Sequence, residues 1–194
     1  MGWALSIDKS DITKAGLVET EPRALQPGEA RLSVRRFALT ANNITYAVFG
    51  EAMGYWAFFP AEDGGRLPVW GFAQVEESAV EDLQPGERIY GYFPAADELV
   101  VQPVKITPGG FIDASAHRAD LPAAYNQYRR CAGDPAYDPE REHFQQALQP
   151  LFLTSWLIDL HLREIEFAGA ERVSLTSASS KTALALAWCL SADR

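Results

Sequence analysis

Up to about residue 139 the sequence has no long segment with a helical apolar period; short alternating runs separated by turn residues take its place. Such a chain must build its first core from β-strands. In residues 28–39, GEARLSVRRFAL, Ala30, Leu32 and Val34 share one face, and Arg31, Ser33 and Arg35 the other. Gln26-Pro27-Gly28 marks the turn before it. TANN is a turn, and ITYAVFG predicts one short helical turn ended by Gly50. Residues 51–67 read as a loop with aromatic anchors, and Tyr55, Trp56, Phe58 and Phe59 are either tied to the core or form a lid over an apolar pocket. PVWGFAQVE, Arg88 to Phe93 and Glu98 to Val104 are predicted strands, with a close backbone approach at Gly71.

The second half changes period. Asp138-Pro139-Glu140 is a helix start, with Asp at the cap and Pro at the first helical position. Pro150 is expected to interrupt it. LFLTSWLIDLHLREIEF then predicts a helix whose apolar stripe is broad enough to be mostly buried, ended by Gly169. Val173 to Thr176 reads as a short strand and Lys181 to Leu190 as a helix. No internal repeat or low-complexity segment interrupts this order.

A formal charge of -9 excludes the basic face that nucleic acid requires, and it disfavours an anionic membrane surface. No apolar run is long enough to span a bilayer, and the N-terminus lacks the apolar stretch of a signal peptide. Two cysteines make no disulfide framework, so a reducing, cytoplasmic setting is expected, with Cys189 a small core residue. The three histidines, His117, His143 and His161, form no ligand pair.

Several segments together resemble one family. LQPGERIYGYF is similar to the "PGDRV" strand of the medium-chain dehydrogenase/reductase superfamily. FALTANNITYAVFG resembles the segment of its zinc-free quinone reductases in which an Asn begins a short helix at the active-site cleft. PLFLTSW resembles the superfamily's threonine-containing helix, and AERVSLTSASSKTALALAW stands where its first Rossmann strand, glycine loop and helix lie. LTANNITYA, RIYGYFP, LPAAYNQYRR and DPAYDPERE are similar to an uncharacterised branch known as a domain of unknown function. The resemblance implies a mixed fold between α+β and α/β: a GroES-like β-barrel domain over 1–125, a helical connection over 126–170, and over 171–194 the first β-α unit of an incomplete Rossmann domain.

It also implies chemistry: reduction of a quinone or enone by NADPH, with a small-molecule substrate, no zinc, and the homo-oligomeric habit of the superfamily. The zinc ligands of other members are replaced by Phe37-Ala38-Leu39-Thr40 and Gly71-Phe72-Ala73, so no open metal site is expected. Asn42, Asn43 and Tyr46 are the implied catalytic residues, with Thr45 in place of an acidic residue of the quinone-reductase pattern. Thr154 matches the threonine that approaches the cofactor; its hydroxyl can equally bond its own helix. The glycine loop falls on residues without glycine. Ser177, Ser179, Ser180, Lys181 and Thr182 are the implied cofactor contacts, by hydroxyl, amine and helix N-terminus. The same serines can instead cap the helix. A Walker A reading lacks both of its glycines, at Leu175 and Ser180. Tyr125-Asn126-Gln127-Tyr128 is a second polar-aromatic cluster, read as a linker with aromatics anchored on the core or as a further wall of the cleft. A doubly wound half needs more strands than this sequence supplies, so the 194 residues alone are expected to bind dinucleotide poorly. The rival reading is a non-catalytic binding or scaffold protein that keeps the fold without the glycine loop.

Overall fold

The computed structural model describes residues 1–192. Contacts divide the chain into two compact units, one over residues 1–143 and one from Phe144 onward. The first exceeds the expected limit of 125, because 127–130 supplies a strand to the middle of its sheet.

Unit 1 contains two antiparallel sheets. The smaller has the order β2-β1-β4, formed by β1 (Gly2–Ile7), β2 (Ala15–Thr20) and the short β4 (Gly65–Arg66). The larger comprises β3 (Ala30–Ala38), β5 (Pro68–Ser78), β6 (Arg88–Pro94), β7 (Glu98–Val101), β8 (Pro103–Thr107), β9 (Gly110–Asp113) and β10 (Gln127–Arg130). Its order is β7-β3-β5-β6-β10-β9-β8. The two edge strands, β7 and β8, are consecutive in sequence and separated by Gln102 alone. Residue 102 must therefore bridge the two edges, so the sheet is curled into a nearly closed barrel. The architecture is mixed α+β.

Alternation in β3, β5 and β6 has its expected consequence. Leu32, Val69, Val75, Ile89 and Phe93 are fully buried in one core. The polar face of β3 is also covered at its start: Arg31 is buried under a two-pronged contact with Glu98 on β7. Gly71 makes the predicted close approach, since a Cβ there would stand 2.2 Å from the Arg36 carbonyl oxygen. The aromatics of 55–59 belong to the core: the 3-10 turn Tyr55–Phe58 is buried, and Trp56 lies so close to Gly50 that a Cβ there would meet its indole at 2.0 Å. Gly50 follows the helix α1 (Ala41–Val48) as predicted, but it makes room for a ring instead of adopting a left-handed turn.

Asp138 caps the turn Pro139–Arg141 by accepting from the Glu140 N–H at 2.9 Å, and α2 (Glu142–Glu164) follows. Its first residue, Glu142, is buried and accepts from Arg88 at 2.7 and 2.6 Å and from the Tyr137 hydroxyl at 2.8 Å. Burial pushes its carboxyl upward, but Arg88, Tyr137 and Arg36 more than offset this and hold it below the ordinary value of 4.5. A group with a depressed folded value stabilises above its unfolded value and loses that contribution as pH falls through the folded one. Glu142→Gln should therefore be less stable than the parent at pH 7, with the gap closing below pH 4.5; paired urea melts across that range measure it. A gap independent of pH would show that the ion pair is not the cause.

Three expectations for the second half are corrected. Pro150 does not interrupt the helix; α2 runs through it. The proline removes a single N–H, and the good helix formers on both sides continue the ladder. The broad apolar stripe is not mostly buried: Leu153, Leu157 and Leu160 are exposed, while the buried positions are Ser155 and Asp159. Among the described residues of unit 2, α3 (Lys181–Ser191) covers α2 on the side where Ser155 Oγ donates to the Thr182 carbonyl at 2.8 Å. Arg163 joins the other ends, bonding Asp159 and the Cys189 carbonyl. Finally, 173–176 forms no strand. A strand exists only through a hydrogen-bonded neighbour, and no described segment pairs with it. The helix ends in a turn closed by Gly169 in the left-handed region, φ 78°, as expected. Cys189 is fully buried.

Candidate functional site

The residues around α1 form a polar-aromatic part of unit 1. Thr40 begins the helix in extended conformation, and the Asn43 side chain reaches back to accept from the Thr40 N–H at 2.6 Å. Asn43 Nδ2 donates to the Pro68 carbonyl at 2.8 Å, so the buried amide joins α1 to the start of β5. Both ends of Asn43 are thereby committed to the fold. Asn42 is exposed, and its Nδ2 donates to the Tyr46 hydroxyl at 3.3 Å, one helical turn on.

Tyr46 opens onto a cluster of rings. It lies 4.7 Å from Tyr55 and 5.8 Å from Tyr92, centroid to centroid, and Tyr92 lies 4.7 Å from Tyr125 and 5.1 Å from Trp70. The Trp70–Tyr92 pair is set by strand register, as is Phe72–Tyr90 on the same two strands. Tyr125 thus joins Tyr46, while Tyr128 is buried and donates to the Tyr92 carbonyl at 2.6 Å. The second tyrosine cluster is anchored on the core and adds one ring to the first.

Burial raises the Tyr46 phenol above its ordinary value of 10.0, and burial likewise raises Tyr92 and Tyr125. At neutral pH Tyr46 keeps its proton. Its oxygen already accepts from Asn42, so its O–H is the remaining donor. The Tyr92 hydroxyl is buried without a hydrogen-bond partner among the described residues, whereas the Trp70 indole N–H lies near enough to the Tyr46 oxygen to favour its ionised form slightly. The arrangement offers hydrogen-bond donors set against apolar rings and no base.

Among the described residues no group of three His, Cys, Asp or Glu stands where it could hold a metal, and no helix is long and apolar enough to cross a membrane. Phe37 and Gly71 face each other in the β3–β5 ladder. Cys131 and Cys189 are free and buried.

The residues expected at a nucleotide loop lie in unit 2. Thr154 is exposed and its hydroxyl donates to the Pro150 carbonyl at 3.3 Å. Ser177, one residue before the stretch 178–183 on which the glycine loop falls, takes the left-handed region, φ 50°, and its carbonyl accepts from the Ser180 N–H at 2.8 Å. Ser180 caps α3, accepting from the Ala183 N–H at 3.1 Å. Ser179 and Lys181 are exposed, and the Thr182 carbonyl is bonded to Ser155. Reasoning from sequence missed Tyr92 and Trp70. The only signal was alternation, which places Trp70 with Phe72 and Tyr90 with Tyr92 but cannot say which strands adjoin.

A curled antiparallel sheet carrying a capped short helix, followed by a two-helix unit, defines a mixed α+β protein with an aromatic, donor-rich site. The chain belongs to the family described as "Protein of unknown function (DUF2855)", which matches residues 37–194. No curated protein matches the sequence. Among solved structures, a quinone oxidoreductase of Pseudomonas syringae pv. Tomato DC3000 is similar at 14% identity, over 97% of this chain and 49% of its own, with a TM-score of 0.48. The JamJ enoyl reductase in its apo form is similar at 12% identity, over 96% of this chain and 50% of its own, with a TM-score of 0.48. A probable oxidoreductase from Mycobacterium abscessus is similar at 12% identity, over 62% of this chain and 39% of its own, with a TM-score of 0.36. The chain spans half or less of the length of each of these proteins.

Proposed function

We propose that the chain belongs to an oxidoreductase-like protein of the zinc-free medium-chain type, which reduces a quinone or enone at the expense of NADPH. The single observation that carries this reading is the Asn42–Tyr46 pair. Asn42 donates to the phenol oxygen, burial keeps the phenol protonated, and the O–H remains to meet an oxygen on the substrate. NADPH, when bound, supplies the hydride. The substrate oxygen then gains negative charge, and a preplaced donor stabilises it most at that moment. Asn43 holds α1 against β5 so that Tyr46 keeps its place. In unit 2 the open N-terminus of α3, the Ser179 hydroxyl and the Lys181 amine are the groups suited to phosphate. A small-molecule substrate, a cytoplasmic setting and a homo-oligomeric state belong to this reading.

One observation favours a non-catalytic binding or scaffold protein instead: the Ser180 hydroxyl is taken by the helix cap and 173–176 is not in a sheet. Quenching of the five tryptophans by NADPH, on the longest form the gene encodes, separates the two readings. Saturable quenching supports the reductase, and none at millimolar cofactor removes it. In a reductase, Tyr46→Phe should lower kcat about 100-fold, the scale for one oxyanion donor, with quenching by NADPH unchanged.

A further inference from the structure

The smaller sheet of unit 1 has an open side. The edges of the larger sheet meet at Gln102, and β4 is two residues long, so among the described residues of unit 1 β2 is the full-length edge strand without a neighbour on its outer side. Its register with β1 shows which backbone groups are spare. The Leu5 N–H donates to the Ala95 carbonyl and the Trp3 carbonyl accepts from the Asp97 N–H, so the odd residues of β1 bond away from β2. The even ones bond towards it, through the pairs Gly2–Thr20, Ala4–Val18 and Ser6–Gly16, and Asp8 N–H continues the set by donating to the Lys14 carbonyl at 2.9 Å. Ala15, Leu17 and Glu19 therefore turn their N–H and C=O groups outward. Edge strands are commonly protected by Pro, Lys or a bulge. AGLVET contains no Pro or Lys, its pairing with β1 is continuous, and its central Leu17 is 72% exposed.

Charge selects the occupant. Lys14 stands just before β2, exposed and 3.3 Å from Asp11, while Glu19 and Glu21 stand at the other end. An antiparallel copy of this strand sets the basic end of each beside the acidic end of the other. Residues that face one another across such a pair point to the same side of the sheet, so odd positions meet odd positions. The register that uses every outward group places Leu17 opposite Leu17 and Ala15 opposite Glu19. We propose that β2 is a docking edge for a second copy of this chain, paired antiparallel about Leu17. Each facing pair then exchanges two hydrogen bonds. Leu5 lies across from Leu17 within one chain, so the two copies form an unbroken row of four leucines on one continuous sheet, and both exposed Leu17 side chains are covered. The inference stands on β2 alone and holds whether or not the chain is a reductase.

Sedimentation of the whole chain between about 10 μM and about 1 mM tests it, the range in which so small an interface dissociates. A reversible monomer–dimer equilibrium is expected. Leu17→Pro should weaken it about tenfold or more: the ring removes an outward N–H that β1 does not use, and proline is tolerated on that side of an edge strand. Circular dichroism checks the folding of this variant. Leu17→Cys tests the register, because residues facing in a hydrogen-bonded pair have Cα atoms about 5.5 Å apart, within disulfide range. Mild oxidation should cross-link Leu17→Cys about tenfold faster than Val18→Cys, whose side chain lies on the other face. The native Cys131 and Cys189 are buried. Should Leu17→Pro fail to fold, the cysteine pair decides alone. The proposal is overturned by a chain that stays monomeric at the highest concentration, which would leave the edge to a foreign strand. It is equally overturned by a folded Leu17→Pro that associates as the parent does, or by equal cross-linking at the two positions.

Discussion

Arg118→Met should destabilise unit 1 by about 3–5 kcal/mol, the cost of stranding one member of a buried ion pair. Arg118 is 1% exposed and Asp113 is 1% exposed, and their Nε and Oδ2 atoms lie 3.2 Å apart. Asp113 also organises the seam of the barrel. Its Oδ1 accepts from the Gln102 N–H and the Ser115 N–H, each at 3.0 Å, and from the Ser115 hydroxyl at 2.6 Å. Gln102 is the residue that links the two sheet edges, so the carboxylate fixes the closure. On its other side Arg118 donates to the Tyr128 hydroxyl at 3.2 Å and lies over Phe59, 4.8 Å from the ring centre. Removing the guanidinium leaves a buried carboxylate facing rings. Adding Asp113→Asn to Arg118→Met should then recover part of the loss, because the stranded charge is gone. Urea unfolding of the two single variants and the double variant gives the coupling. A loss below about 1 kcal/mol for Arg118→Met would place the pair with exposed ion pairs and refute its structural role.

Gly71→Ala should cost about 3 kcal/mol, at the upper end for overpacking, because the obstruction is backbone. The added Cβ would stand 2.2 Å from the Arg36 carbonyl oxygen and 2.8 Å from the Phe37 Cα, at the irregularity between Val34 and Arg36 in the β3–β5 ladder. No rotamer change relieves contacts with main-chain atoms. β3 and β5 would have to separate where Phe37 faces Gly71, three residues from the Pro68–Asn43 bond that holds α1. A stable but locally opened variant would therefore lose protection from hydrogen exchange in α1 as well as in the two strands. Gly16→Ala on β2 is the control, since a Cβ there meets nothing within 4 Å. Thermal melts in which the two substitutions behave alike would refute the packing argument.

Much of the scaffold could be read from residue order. Alternation marked β3, β5 and β6, the Asp138-Pro139 pair marked the start of the second half's helix, and the close approach at Gly71 was visible as a glycine within an apolar strand. β1 and β2 were not visible. Most of β2 is exposed, so no burial imposes an apolar period on it. The capacity of α2 to pass Pro150 was hidden for another reason: a local rule assigns proline a cost, but a long helix can absorb one lost bond. At the candidate site, Asn42 and Tyr46 are neighbours on one helical face and could be paired from spacing alone. Tyr92, Trp70 and Tyr125 come from β6, β5 and the turn before β10, and only strand register brings them to Tyr46.

What the sequence determined by itself is local: which segments alternate, where helices begin, and which charges and hydroxyls are available. The division of labour among those groups came from the tertiary structure. Asn43 became a tie between helix and strand, Arg118 the partner of a buried carboxylate, and Ser180 a helix cap. The physical reason is that period and capping act over a few residues, whereas burial and pairing depend on which strands adjoin, and the fold brings residues as distant as Ala4 and Ala96 into a β-bridge.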